Sequence, residues 1–160
     1  MRLKEVIEAI EKEFSGKDAI IIDAENSILG RLATVVAKLL LRGHRVYIVN
    51  AEKIVLSGEK NRVIEGYKLL LEVKTHKNPY RGPKRPKSPV SIVKRTVKGM
   101  LPKECHKGFE AYRRLKVFIG VPDELKNKPK VKIAFADASL LKGEYVYICE
   151  VAKALGWRGE

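Results

Sequence analysis

The sequence has few cysteines and no long hydrophobic segment. Its two cysteines, Cys105 and Cys149, are too few and too far apart in the sequence for a disulfide framework, which indicates a reducing compartment. The longest apolar run, residues 32–41, is interrupted by Lys38 and is shorter than the about 18 residues that a membrane-spanning helix needs. The N-terminal segment MRLKEVIEAIEKEF alternates charged and apolar residues and has no signal-peptide core. We therefore expect a soluble, cytoplasmic protein with no membrane partner.

The sequence motifs of nucleotide and metal chemistry are also missing. The turn after AIIID (residues 19–23) reads DAENSILG, whose only glycine is Gly30, so it lacks the Gly-rich dinucleotide fingerprint. The segment LSGEKN around Gly58 lacks the upstream glycine and the Lys-Ser/Thr ending of a phosphate-binding loop. The three histidines are scattered, and no nucleophile, base and orienting group come together. We predict a protein that is not an enzyme and that has no metal, cofactor or small-molecule substrate.

Acidic residues are absent from one long stretch of a strongly basic chain. Between Val73 and Lys103 there are ten Lys or Arg and no Asp or Glu, and the whole chain has a net charge of +14. Solvated surfaces usually mix the two signs, because interspersed acids relieve the repulsion. One-signed charge of this density predicts a polyanionic partner, such as the phosphates of a nucleic acid. Charge alone does not separate RNA from DNA.

The centre of this stretch, KTHKNPYRGPKRPKSP (residues 74–89), contains six Lys or Arg and four Pro. Proline restricts the backbone, so such a segment loses less entropy when it is ordered on a partner. Tyr80 adds a ring on which a base can stack. We predict an extended basic arm that follows phosphates. A second and weaker basic cluster, Arg113, Arg114 and Lys116, lies beside Tyr112.

The apolar pattern along the 160 residues indicates one α/β domain. Residues 19–23, 29–42 and 46–50 read as strand, helix and strand, which predicts a crossover unit with parallel strands. Further helices are predicted at residues 2–14, ended by Ser15-Gly16, at about 59–73, from Ser88-Pro89 to Pro102, and at about 107–114. Further strands are predicted at residues 115–120 and 131–136. The segment at about 144–156 is predicted to begin as a strand and to pass into a helix.

Several segments read together resemble one family: IIDAENSILGRLATVVAKLLLRG (21–43), NAEKIVLSG (50–58), NPYRGP (78–83), KRTVKGMLP (94–102), RLKVFIGVP (114–122) and VAKALGW (151–157). They are similar to the large-subunit ribosomal protein thirteen (L-thirteen) family, in its archaeal and eukaryotic branch. The resemblance implies a three-layer α/β/α fold on a mainly parallel sheet of about four strands. It also implies a non-catalytic structural constituent of the large ribosomal subunit that binds large-subunit rRNA early in assembly, beside neighbouring ribosomal proteins.

The predicted rRNA-binding residues come from the resemblance and from charge. The family motifs suggest Arg31, Arg81, Lys94, Arg95 and Lys98. The basic clusters and one departure from the family pattern add Lys74, Lys77, Lys84, Arg85, Lys87, Lys107, Arg113 and Arg114. At Lys107-Gly108 the related branch commonly shows Arg-Gly, so a two-pronged contact there becomes a point-charge contact.

Three further expectations concern packing, domain boundaries and alternative functions. We expect Gly99 in KGMLP to allow close backbone packing rather than an approach of RNA. Residues 1–17 are expected to form an amphipathic helical extension, which packs on a single domain of residues 18–160 rather than on a neighbouring ribosomal protein. The alternative functions are an RNA-acting enzyme with a nucleotide or methyl-donor site, and a DNA-compacting basic protein. The enzyme would need a Gly-rich turn or a catalytic cluster at the strand ends, and the DNA-compacting protein would leave the family motifs unexplained.

Overall fold

Helices and short strands alternate along the chain. The computed structural model describes residues 3–14 and 19–159, so the predicted helix end at Ser15-Gly16 lies outside the described residues. The helices are α1 (Leu3–Glu13), α2 (Leu29–Leu41), α3 (Lys60–Glu72), α4 (Pro89–Met100), α5 (His106–Arg113), α6 (Asp123–Lys126) and α7 (Ile148–Ala154). The strands are β1 (Ile20–Asp23), β2 (Val46–Val49), β3 (Val55–Ser57), β4 (Leu115–Val117) and β5 (Tyr145–Tyr147). None of the helices in the described ranges is long and apolar enough to cross a membrane.

The main sheet is parallel, with strand order β1-β2-β4. Ile20 lies opposite Val46, and Val46 lies opposite Leu115, so β2 is the central strand. Helix α2 connects β1 to β2, and Gly43, with φ of 102°, follows its end. A residue with positive φ just after a helix favours glycine, because glycine has no Cβ to clash. The predicted crossover unit and the α/β class are confirmed.

The prediction of a strand over the whole of residues 131–136 was wrong. Only Val131 joins the sheet, where it exchanges two backbone hydrogen bonds of 2.9 Å with β1. The chain then turns through a 3₁₀ segment, and the carbonyl of Ala136 accepts a hydrogen bond of 2.6 Å from Ile28 N, next to the start of α2. The backbone leaves the sheet because it is hydrogen-bonded to the beginning of a neighbouring helix instead.

Strands β3 and β5 form a separate antiparallel pair, in which Val55 lies opposite Tyr147. The predicted passage from strand to helix at 144–156 is confirmed, since β5 is followed directly by α7. Strand β3 was missed from the sequence, because three residues are too short to show a periodic pattern.

The largest part of the core surrounds α2. Leu32, Val35, Val36, Leu39 and Leu40 of this helix are all fully buried. Helix α2 contacts α1, α4, α5 and β2, which explains why it is apolar on nearly every side. One face of the sheet lies in this main cluster, whereas the other face has a small cluster in which α6 supplies a buried leucine. The two outer layers of the three-layer fold therefore differ greatly in size.

Helix α1 packs into the same main cluster through Val6, Ile7 and Ile10. The expectation that this helix packs within the molecule is confirmed by that burial. The boundary between residues 1–17 and 18–160 stays a prediction. A polar link supports the packing, because Glu11 accepts a hydrogen bond of 2.6 Å from Arg42 Nη1 just after α2.

We predict that Glu11→Gln lowers the free energy of unfolding by at most about 1 kcal/mol near neutral pH, because the Arg42 side chain is 41% exposed. The hydrogen bond from Arg42 lowers the pKa of Glu11 below its ordinary value of 4.5. The stabilisation is therefore fully present above that value, and it is lost as pH falls through the lowered pKa.

Urea unfolding of both proteins at several pH values measures this difference, which should shrink in acid. Glu13→Gln, on the exposed side of the same helix, is the control and should change stability by less than about 0.5 kcal/mol. Because His44 Nε2 also lies 3.1 Å from Glu11 Oε1, the decisive range is the acid one, and a difference that stays at full size well below pH 4.5 would contradict the assignment.

Candidate nucleic-acid interface

Helix α4 holds a row of cations on the surface by burying its opposite side. Ser88 caps the helix, since its Oγ accepts a hydrogen bond of 3.3 Å from Ser91 N. Pro89 occupies the first position, where its missing N–H costs no hydrogen bond. The apolar side of the helix lies in the core, and Arg95 and Lys98 on the other side are exposed. The predicted helix start at Ser88-Pro89 is confirmed, and core packing sets the positions of the cations.

The last part of the basic arm is attached to α4. Arg95 Nη1 donates a hydrogen bond of 3.3 Å to the carbonyl of Lys84, and Arg85 and Pro86 are half-buried. Farther upstream, Pro79–Arg81 form a 3₁₀ turn. The arm is thus held at the segment before α4, while an extended course for the whole of residues 74–89 stays a prediction.

The C-terminal segment turns back toward α4. Gly156 has φ of 91° and ends α7, and Trp157 N donates a hydrogen bond of 2.9 Å to the carbonyl of Ala152. This arrangement brings Trp157 and Arg158 beside the cations of α4. Sequence reasoning missed both residues as site residues, although the motif VAKALGW ends at Trp157.

The arm, α4 and the C-terminal segment enclose a broad groove of about 820 Å³. Tyr112 and Trp157 supply its aromatic rings. Among the described residues that line it there is no acid. The cations that line it are Lys84, Arg85, Lys87, Lys94, Arg95, Lys98 and Arg158. Six of these seven were predicted from the sequence, so tertiary structure brings together the arm and helix α4 as one cationic surface.

The other predicted cations lie outside this groove. The arm residues Lys74, Lys77 and Arg81 are exposed upstream of it, and Lys107 and Arg113 are exposed on α5. Arg31 is half-buried on α2, with its guanidinium carbon 5.7 Å from the centroid of the Phe135 ring. A role for these residues in binding RNA stays a prediction.

The second basic cluster does not form one surface. The Lys98 ammonium lies 5.6 Å from the Tyr112 ring centroid, at the groove. The Lys116 ammonium instead lies 5.5 Å from the ring centroid of Tyr47. Arg114 Nη2 donates a hydrogen bond of 2.9 Å to the carbonyl of Leu40, near the end of α2. Adjacent positions in a sequence thus point in different directions at the junction of α5 and β4.

Comparison with known protein families identifies the class of protein in which this groove occurs. Residues 17–124 match the family model described as ribosomal protein L13. This chain belongs to the ribosomal protein L13 family. The family predicted from the sequence motifs is therefore confirmed.

The related proteins are archaeal, in agreement with the predicted branch. The chain is 52% identical over 143 residues to the large ribosomal subunit protein uL13 of Sulfolobus acidocaldarius, covering 89% of this chain and 96% of that protein. It is 54% identical over 144 residues to the uL13 of Saccharolobus solfataricus, with the same coverage of both chains. The uL13 of Archaeoglobus fulgidus is 44% identical over 146 residues, or 90% of this chain and 92% of that protein.

Two glycines of the L13 motifs have different physical roles. A Cβ at Gly108 would lie 1.9 Å from the carbonyl oxygen of Pro102, so the start of α5 fits against the end of the α4 segment only without a side chain. A Cβ at Gly99 would meet nothing within 4 Å. The expectation that Gly99 allows close packing was wrong, because it faces open space at the surface, and the packing glycine is Gly108.

Metal coordination has no candidate in the described part of the chain, where no three His, Cys, Asp or Glu side chains are grouped to hold an ion. Cys105 is exposed and Cys149 is half-buried, and both are free thiols. The groove itself presents fixed positive charge and aromatic rings, which suit it to binding phosphates and bases.

We predict that Gly108→Ala destabilises the protein by about 2 kcal/mol or more, because the added methyl group forces the backbone of Pro102 to move. Gly66→Ala is the matched control, since Gly66 lies inside α3 with open space around its Cβ position. That control should be neutral or stabilise by up to about 1 kcal/mol, because alanine is the better helix former. Thermal and urea unfolding measure both, and equal effects of the two changes would contradict the packing role of Gly108.

The neighbouring arginines Arg113 and Arg114 provide a second comparison. We predict that Arg114→Ala lowers the free energy of unfolding by about 1–3 kcal/mol, because it removes the hydrogen bond to the carbonyl of Leu40 and the packing of a partly buried stem. Arg113→Ala should stay within about 0.5 kcal/mol, because Arg113 is exposed. Urea unfolding checks this, and a larger loss for Arg113→Ala than for Arg114→Ala would overturn it.

Proposed function

We propose that this chain is a structural constituent of the large ribosomal subunit in the cytoplasm, where it binds large-subunit rRNA and joins early in assembly. The observation that carries the proposal is the groove of seven cations and no acid among its described lining residues, in a member of the ribosomal protein L13 family. The relatives named above are all called large ribosomal subunit proteins, which supports a structural and non-catalytic role.

The groove suits a nucleic-acid backbone because the segments that carry its charges are held in place before binding. The hydrogen bond from Arg95 to the Lys84 carbonyl links the arm to α4, and α4 itself is anchored in the core. Segments that are already positioned lose less entropy on binding. Arginines can make two-pronged contacts with phosphate oxygens, and lysines act as point charges.

The two alternative functions have less support. An RNA-acting enzyme would need a grouping of reactive side chains or a Gly-rich turn after β1, and the turn after Asp23 has Gly30 as its only glycine. A DNA-compacting protein would be consistent with the charge but not with the family. The family relationship therefore favours rRNA as the partner over DNA.

We predict that replacing Arg81, Lys84, Arg85 and Lys87 together by Ala leaves the fold intact but reduces incorporation into large subunits. These side chains belong to the arm rather than to the main core cluster. The matched control replaces four exposed lysines elsewhere, Lys4, Lys12, Lys128 and Lys153, so that the net charge changes equally. Sedimentation of tagged variants from growing cells measures incorporation.

Equal loss of incorporation in both variants would mean that only net charge matters. Loss of cooperative unfolding in the arm variant would mean that the arm belongs to the core.

Salt dependence tests the phosphate contacts directly. For the purified chain and large-subunit rRNA, the logarithm of the binding constant should fall linearly with the logarithm of salt concentration, by about 0.7 to 0.9 per phosphate contact. The arm variant should show a shallower slope, because it makes fewer contacts, while the control variant keeps the wild-type slope. An absence of rRNA binding at low salt would defeat the proposed function.

A further inference from the structure

A second cavity lies next to the groove and shares part of its wall. It has a volume of about 180 Å³ and lies between α3, α4 and the arm. Arg85, Pro86 and Arg95 line both the cavity and the groove. A molecule bound in the groove therefore lies beside this cavity, which we call the side pocket.

The walls of the side pocket combine apolar and polar side chains. Tyr67 and Leu70 of α3, with Pro86 and Ile92, supply the apolar part, and Arg85, Arg95 and Thr96 supply the polar part. Burial raises the pKa of the Tyr67 hydroxyl, as expected for a group partly removed from water. A phosphate in the pocket would find no partner on the apolar walls, whereas a planar group with apolar faces and polar edges can contact both kinds of side chain.

Polar side chains line the side pocket as well. Arg85 and Arg95 contribute guanidinium groups, whose N–H donors can bond a carbonyl or ring-nitrogen acceptor. Thr96 Oγ1 donates its hydrogen to the carbonyl of Ile92 at 3.0 Å, so its lone pairs are left to accept from an incoming N–H.

From these features we infer that the side pocket takes one unstacked nucleobase of the RNA whose phosphates lie in the groove. A base is joined to the backbone through its ribose, and the shared arginines put the pocket within the reach of one nucleotide. Nucleobases carry carbonyl or ring-nitrogen acceptors for Arg85, and their faces stack on aromatic rings and guanidinium planes. The inference rests on the proposed function, and it adds that the bound RNA is unpaired at this point.

The test compares two probes of the same length on the full chain: a short single-stranded oligoribonucleotide and its abasic counterpart with the same number of phosphates. The intact oligoribonucleotide should bind the wild-type chain at least about tenfold more tightly, because the base contact adds to the phosphate contacts. Both probes should show the same salt slope, since their charges are equal.

Two variants direct the test to the side pocket. Thr96→Leu fills the pocket and should reduce the preference for the intact probe to about twofold or less. Its control is Thr34→Leu on α2, where the Thr34 hydroxyl makes the same kind of hydrogen bond, 2.9 Å to the carbonyl of Gly30, away from the groove. The control should keep the full preference for the intact probe.

Leu70→Ala is the second pocket variant, in case Thr96→Leu disturbs the fold. It removes part of the apolar wall of the pocket, at a residue that is already 45% exposed. It should lower the preference for the intact probe several-fold. Leu69→Ala changes the adjacent residue, which is 62% exposed and does not line the pocket, and it should have no effect.

The outcomes separate failure of this inference from failure of the proposed function. Equal binding of the intact and abasic probes by the wild type, with a steep salt slope, would overturn the base pocket and leave phosphate binding in the groove intact. No salt-dependent binding of either probe would remove both. If the pocket variants keep the preference for the intact probe but lose incorporation into large subunits, the side pocket receives a protein side chain and the inference is wrong.

Discussion

The burial of helix α2 on nearly all of its sides is the constraint on which the rest of the structure depends. Leu32, Val36 and Leu39 are fully buried, and each such side chain contributes roughly 1.5–3 kcal/mol to folding. A helix with so many apolar side chains must be covered along most of its surface. The sheet and helices α1, α4 and α5 cover it, so the position of the cation-bearing helix α4 follows from the packing of α2.

This dependence explains how a single-signed surface is tolerated. The cations of α4 and the arm repel one another, and the lining residues of the described groove include no acid to offset that repulsion. The apolar side of α4, with Ile92, Val93 and Val97, lies in the main core and holds the helix in place despite the repulsion. Binding a polyanion then relieves the repulsion that folding has concentrated. The apolar side of the helix contributes stability, and the other side carries the exposed cations.

The sequence predicted well those features that are repeated over a turn or more. The spacing of apolar residues identified α1, α2, α4 and the parallel crossover, and Ser88-Pro89 marked a helix start to the residue. Prediction from the sequence failed where one or a few tertiary contacts decide the local structure. Residues 131–136 leave the sheet for the start of α2, and β3 is only three residues long. Gly99 and Gly108 look alike in the sequence, and only the position of the Pro102 carbonyl separates their roles.

Composition and motifs alone identified the α/β class and the family, and they predicted the sign of the partner's charge. Charge and apolar periodicity are properties of the sequence, and they can be determined without knowing which segments contact one another in the fold. Only the tertiary structure decided which cations lie together. It placed Trp157 and Arg158 beside residues of α4 and the arm, and it turned Arg114 toward the carbonyl of Leu40. A binding surface is an arrangement of distant segments in space, and that arrangement is set by long-range core packing rather than by local sequence.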